Sequence, residues 1–159
     1  MRIVSSVIYG MVSWASRNGL AEAAATNDPA DAKVRARRTG VRGETFAYWY
    51  LRRHGYVMVA RNYTIAGMKG EADLIGYDGE TLAFIEVKTR SMGGNIAALP
   101  EDAVRENKRR NLIRLAGRFL RDSRVKGVPY RFDILAIETE PGCRPTVRLH
   151  KGAFSPRMN

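Results

Sequence analysis

Residues 71–90 read EADLIGYDGETLAFIEVKTR: two apolar, β-branched runs meeting at Asp78-Gly79. Asp-Gly between alternating hydrophobic segments is a strong short-range signal for a tight β-hairpin. With Asp78 and Gly79 as the two turn residues, Tyr77 faces Glu80. The ladder then pairs Ile75 with Leu82, Asp73 with Phe84, and Glu71 with Glu86. Strand side chains alternate with period two, so Asp73, Glu86 and Lys88 project from one face together with Leu82 and Phe84. Asp73 and Glu86 become diagonal neighbours about 7 Å apart.

Two carboxylates on a half-buried apolar face repel each other and resist desolvation. A divalent cation offsets both terms, and Mg²⁺ or Mn²⁺ prefers carboxylate, carbonyl and water oxygens. The spacing therefore predicts a metal held by Asp73 and Glu86, with the Val87 backbone carbonyl as a further donor. Lys88, two residues beyond Glu86, is placed to hold an attacking water or to neutralise charge on a phosphate. A lone Glu-x-Lys is also an ordinary surface ion pair. Residues elsewhere in the chain favour the chemical reading over that one.

The rest of the chain alternates helices with strands. Asp28 as an N-cap, Pro29 and Asp31 predict a helix beginning near Pro29, interrupted at Gly40 and Gly43. ETFAYWYLRRHG, residues 44–55, predicts a second helical stretch closed by Gly55. Glu44 shares its face with Ala47, Tyr48 and Leu51 and so is placed to support the same cation. YVMVARNY is a strand, TIAGMKG a loop, and SMGGNIAAL another loop. Pro100 opens a helix from 101 to about 122, and RFDILAIE and TVRLHK are two further strands. Within the long helix Val104, Leu112, Leu115 and Phe119 fall in an arc of about 80°, and Lys108 lies inside it. That lysine either meets the sheet or runs along the stripe to water. Trp49, Tyr48 and Tyr50, like Trp14, are expected chiefly as core residues, although aromatic rings also stack on bases. His54 is expected to cap a helix end or lie on the surface.

Composition bounds the function. The 159 residues suit one globular domain, and 27 Lys and Arg against 16 acids give a formal charge of +11. Such a balance fits a polyanionic partner, nucleic acid above all, with an anionic membrane surface as the other candidate. Arg110, Arg114, Arg118 and Arg121 form a ladder on the helix face away from the apolar stripe. With KVRARRTGVR at 33–42, they are expected to meet phosphates. The single cysteine, Cys143, and the two histidines make no zinc spacing, and nothing points to an oxidising compartment. No phosphate-cradling G-x-x-x-x-G-K-[ST] pattern occurs, and neither Ser91 nor Ser123 has a positioned histidine. MRIVSSVIYGMVSWASRNGLAEAAA superficially resembles a secretory signal. Its apolar run is broken by Ser5, Ser6, Gly10 and Ser13 and is too short to span a bilayer. The expectation is an extension over residues 1–28, a domain over 29–152, a tail over 153–159, a cytoplasmic location, and no stable membrane insertion.

The stretches RGETFAYWYLRRHGYVMVARNY, GEADLIGYDGETLAFIEVKTRS, PEDAV with Lys108, and RFDILAI resemble, in that order, the PD-(D/E)xK nuclease superfamily. They are more closely similar to the YraN-like family of predicted endonucleases, which shares its fold with archaeal Holliday-junction resolvases. The resemblance spans roughly residues 35–150 and implies an α/β restriction-endonuclease-like core, a mixed sheet of about five strands flanked by helices. It also implies metal binding by Asp73 and Glu86, a water-activating Lys88, a supporting Glu44, and Mg²⁺ or Mn²⁺ as cofactor. DNA is the implied substrate, contacted by Arg42, Arg90, Lys108, Arg110, Arg114 and Arg118, and a homodimer is plausible by the same analogy. No proline precedes Asp73, Ala72 stands where a bulkier aliphatic is usual, and the loop TIAGMKG is long. The competing function classes are a non-catalytic nucleic-acid-binding module and a membrane-associated protein anchored through its N-terminal extension.

Overall fold

The computed structural model describes residues 29–91, 106–140 and 143–155. Asp28, Trp14, Val104, the PEDAV stretch, the SMGGNIAAL loop beyond Ser91, and the N-terminal extension lie outside them. The order is α1 (Pro29–Arg53), β1 (Val57–Tyr63), β2 (Ala72–Asp78), β3 (Thr81–Ser91), α2 (Glu106–Asp122), β4 (Tyr130–Thr139) and β5 (Thr146–Phe154). The strands form one five-stranded sheet in sequence order. Its pairs are antiparallel except β3 with β4, which run parallel and are joined through α2, as parallel neighbours require a crossover. This is the expected α/β architecture, a mixed sheet flanked by helices.

Period-two alternation assigns each face of the sheet to one helix. Leu74, Ala83, Ile85, Leu135 and Ile137 pack with Phe46, Ala47 and Leu51 of α1. Ile75, Leu82, Phe84 and Phe132 pack with Leu112, Leu115, Ala116 and Phe119 of α2. Phe84 meets Phe119 edge-on with centroids 5.8 Å apart, and Tyr63 meets Phe119 likewise at 5.1 Å. These aromatic contacts fix how far α2 can slide along the sheet.

Two expectations are corrected. Gly40 and Gly43 do not interrupt the first helix, which runs unbroken through both. Glycine in a helix interior costs about 1 kcal/mol against alanine. At Gly43 the gain is closeness, because a β-carbon there would fall inside the Thr89 side chain of β3. The hairpin also turns one residue later than Asp78-Gly79. Asp78 pairs with Thr81, Tyr77 with Leu82, and Ile75 with Phe84. Gly79, with φ 61°, takes the first of the two central positions, as type II′ turns prefer.

Asp78 stays in the strand because it is held there. Its Oδ2 accepts from Arg131 Nη2 and Lys151 Nζ, each at 2.6 Å, and from the Tyr56 hydroxyl at 3.3 Å. These bonds hold its carboxyl below the usual range. Arg131 Nε also donates to both oxygens of Asp133 at 2.9 and 3.0 Å, and the Gly152 amide donates to Asp133 at 2.8 Å. Asp133 is fully buried, so its charge depends on these partners.

Both helices end in Schellman geometry. At α1 the Tyr56 amide reaches the Leu51 carbonyl at 3.0 Å and the Gly55 amide reaches Arg52 at 3.3 Å, with Gly55 at φ 94°. His54 Nδ1 lies 2.8 Å from the Tyr50 carbonyl, the capping role expected of it. At α2 the Val125 amide reaches Leu120 at 3.1 Å, but the left-handed position is Arg124, at φ 53°.

Replacing the exposed Arg124 by glycine should therefore stabilise the protein by about 0.5–1 kcal/mol in chemical denaturation. Arg131→Met should cost about 3–5 kcal/mol, because it leaves Asp133 buried without its countercharge. A loss under 1 kcal/mol would show that Asp133 is not held as a charge.

Candidate functional site

The corrected hairpin register brings the acids closer than the sequence reading placed them. Continuing the pairs Ile75 with Phe84 and Leu74 with Ile85 by one step sets Asp73 opposite Glu86. The register has moved by two residues, an even number, so every side chain keeps its face. At this point the ladder gains a side-chain rung. The Val87 amide donates to Asp73 Oδ2 at 2.7 Å, fixing that carboxylate against β3.

Glu86 is 1% exposed and carries two ammonium groups on one oxygen. Lys88 Nζ lies 2.7 Å from Oε1, and Lys108 of α2 pairs with the same atom. The lysine in the apolar stripe thus meets the sheet, although its side chain remains 39% exposed. Its charge comes to Glu86 because Leu112, Leu115 and Phe119 on the same stripe are seated on the α2 face of the sheet. The other oxygen, Glu86 Oε2, is buried with no hydrogen-bond partner among the described residues.

Electrostatics at the pair are opposed. Burial first, and then the Glu86 charge, push the Asp73 carboxyl up to about 7; the Val87 amide and Lys108 oppose the rise and the charge of Glu44 adds to it. Burial works to depress Lys108, but the charge and hydrogen bond of Glu86, with Asp73 and Glu71, outweigh it and hold its ammonium above the usual range.

Glu44 is not brought into the pair. It sits on α1, which covers the opposite face, and its Oε2 accepts from Asn62 Nδ2 at 2.8 Å. Its influence on Asp73 is through charge, weaker than that of Glu86. Arg90 is half-buried on β3 and Arg42 is exposed on α1. Arg110, Arg114, Arg118 and Arg121 are all exposed along α2, where Arg110 pairs with Glu106 and Arg118 with Asp122 at 2.8 Å. Beside the site, Thr64, Gly70, Glu71, Asn107, Lys108 and Asn111 line an open groove of about 610 Å³. The sequence reading missed Asn62, whose signal is visible only as a polar residue at φ 47° near the end of a strand.

Among the described residues no three His, Cys, Asp or Glu side chains form a metal-holding group. Two acids do meet, one with an unpartnered buried oxygen and the other with a proton affinity raised by its neighbour. Both features are what a hard divalent cation would relieve, so Asp73 and Glu86 fit such an ion, with water and the Val87 carbonyl as further oxygen donors.

The raised Asp73 carboxyl has a sign. Below pH about 4 it is protonated both folded and unfolded. Between pH about 4 and 7 the folded chain keeps a proton that the unfolded chain has lost, so this group's contribution to stability declines as pH rises through 7. Asp73→Asn should therefore match the parent near pH 4 and exceed it at pH 8 by on the order of a few kcal/mol in thermal or urea unfolding. Millimolar Mg²⁺ or Mn²⁺ at pH 8 should raise the melting temperature of the parent and not of the variant. Parallel pH curves for the two proteins would refute the burial of charge at Asp73.

Among the described residues no helix is long and apolar enough to cross a membrane. Comparison with known proteins adds relatives of the same kind. A UPF0102 protein of Koribacter versatilis is 43% identical over 74% of this chain and 79% of its own length. One of Symbiobacterium thermophilum is 40% identical over 75% of this chain and 98% of its own, and one of Solibacter usitatus is 40% identical over 70% and 82%. The sequence profile of the uncharacterised protein family UPF0102 matches residues 43–137, a span that contains Glu44, Asp73, Glu86, Lys88 and Lys108. The chain belongs to that family, the YraN-like family its motifs resemble.

Proposed function

We propose that this protein is a divalent-metal-dependent endonuclease that hydrolyses phosphodiester bonds in DNA. The observation that carries the reading is the buried meeting of Asp73 and Glu86 at the end of the β2–β3 ladder, beside Lys88 and Lys108. A protein that only binds an anion gains nothing from burying two acids where that anion would lie. The formal charge of +11 supplies the attraction for a polyanion.

Asp73 and Glu86 would hold the ion, Mg²⁺ or Mn²⁺, which when bound supplies Lewis-acid stabilisation of charge on the phosphate. The chain's own residues do the rest. Glu86 fixes the Lys88 ammonium at 2.7 Å, so that it orients the attacking water and balances charge on the phosphate oxygens. The Val87 amide holds the Asp73 carboxylate in one orientation. Lys108, more exposed than Lys88, is the cation placed to leave Glu86 for an incoming phosphate. Exposed Arg114 and the other arginines of α2 extend the positive surface for the backbone. The reading places the protein in the cytoplasm, where its substrate lies.

The second reading is a nucleic-acid-binding module with a nuclease-like fold. It is favoured by one observation: both lysines close on the same Glu86 oxygen, an arrangement that satisfies charge without a metal.

A cleavage panel of branched, linear and single-stranded DNA with Mg²⁺, Mn²⁺ or chelator separates the two. Metal-dependent cutting is expected, lost in Asp73→Ala with salt-sensitive binding intact or tighter. Lys88→Ala should lower the rate by about 10²–10⁴-fold. Inertness of the parent on every substrate, with salt-sensitive binding retained, favours the binding module, and an Asp73→Ala protein that cuts at the parent's rate overturns the site.

A further inference from the structure

Trp49 has no place in the chemistry above, nor a clear one in the core. Tyr48 and Tyr50, its neighbours, pack against the core cluster beneath α1. Trp49 is only half-buried and, among the described residues, joins neither core cluster. At about 100° per residue Thr45, Tyr48, Trp49 and Arg52 fall within an arc of about 100°, turned away from the buried Phe46, Ala47 and Leu51. Val41, 54% exposed, continues the same stripe.

That stripe is aromatic and cationic together. Tyr48 and Trp49 meet edge-on at 5.1 Å. The Arg52 guanidinium lies 5.1 Å from the Trp49 ring and 5.7 Å from Tyr48. Arg61 of β1 lies 5.0 Å from the Tyr48 ring. A surface helix built only to be wet has no need of a half-buried tryptophan beside an arginine. Two adjoining aromatic rings with two guanidinium groups beside them suit a ligand that joins a planar ring to an anionic group.

The stripe is tied to the edge strand β1, the neighbour of the strand that carries Asp73, although α1 and the acids lie on opposite faces of the sheet. Arg61 donates to Thr45 Oγ1 at 3.2 Å. The next residue of each element makes the next contact, Asn62 to Glu44 at 2.8 Å, and the charge of Glu44 is felt at Asp73.

We infer that the outward face of α1, with Trp49 at its centre and Arg52 and Arg61 beside it, binds unpaired nucleotides. A strand held there is therefore single-stranded where it crosses this helix. This rests on the nuclease reading for the fate of the strand, but not for its binding. Bases inside a continuous duplex keep their faces stacked on one another and have none to offer Trp49. An unpaired base has, and stacking tolerates any sequence.

The test uses the full chain in chelator, where no metal-dependent cutting intervenes, with Trp14→Phe leaving Trp49 as the one remaining tryptophan of two. Oligothymidylate, oligouridylate and a duplex of equal length are titrated in turn. Single strands should quench Trp49 emission and the duplex should not; the ratio of the two single strands reports which sugar is preferred. In the parent background, Trp49→Ala should weaken single-strand binding at least tenfold, since stacking on an aromatic side chain is worth about 1–3 kcal/mol per base. Trp49→Phe should recover most of the loss, and duplex affinity should stay within twofold throughout. Unchanged single-strand affinity in a folded Trp49→Ala protein overturns the platform, as does equal quenching by the duplex. If the parent cuts nothing while Trp49→Ala still loses single-strand binding, the nuclease reading fails and the platform stands. If cutting is lost in Asp73→Ala but indifferent to Trp49, only the platform falls.

Discussion

A carboxylate buried to 1% exposure in the middle of a strand is the constraint around which this molecule is arranged. Glu86 cannot sit on an apolar sheet face as a bare charge, since the desolvation of an unpaired carboxylate exceeds what the neighbouring packing returns. Two ammonium groups answer it, and they come from different elements. Lys88 arrives through the period-two spacing of β3 itself. Lys108 arrives only if α2 lies across the sheet at one height, and that height is set by Phe119 between Tyr63 and Phe84. The aromatic cluster is thus the distant support of the ion pair.

The two ends of the β2–β3 hairpin face opposite electrostatic problems and solve them differently. At the turn, Asp78 accepts from Arg131, Lys151 and Tyr56, and Arg131 with Gly152 also serves Asp133, which lies beside Ile85 in β3. These acids are saturated with donors, and Asp78 is held ionised. At the other end Asp73 has the Val87 amide and a proton affinity raised by burial and by Glu86, while Glu86 keeps an oxygen without a partner. The chain satisfies the acids around Arg131 and leaves Asp73 and Glu86 short of donors. That contrast is what supports the proposed metal site at the second end.

Much of this was legible because a hairpin propagates local information. Asp-Gly fixed the turn to within one residue, and the ensuing error moved the register by two positions, which preserves the faces on which Asp73, Glu86 and Lys88 lie. The helical stripe around Lys108 was equally readable, though not whether the lysine would turn to the sheet or to water, since that depends on what α2 packs against. Gly43 was misread for a related reason. Its propensity argues for a break, and only Thr89, far away in sequence, explains why the helix needs no side chain there. Nothing local announces the Arg131 network, which joins Tyr56, Asp78, Asp133 and Lys151 across three strands and a helix end. Glu44 lies on the helix the pattern assigned, where Asn62 engages its carboxylate and its charge still acts on Asp73.

Trp49 marks where periodicity stops being informative. Within AYWY every position is apolar or aromatic, so the pattern alone assigns all four to the core. The α1 face of the sheet accommodates Ala47 fully and takes Tyr48 and Tyr50 in part, and the 3.6-residue turn then leaves the ring between those tyrosines facing outward. A tryptophan left there by geometry alone would be a liability on a cationic surface, exposing apolar area with nothing to cover it. Beside Arg52, with Tyr48 and Arg61 adjoining, it is the apolar component of the surface we infer to bind unpaired nucleotides. The helix that closes one face of the sheet therefore also carries an outward aromatic and cationic stripe, while Gly43 lets its inward side lie close against Thr89 of β3.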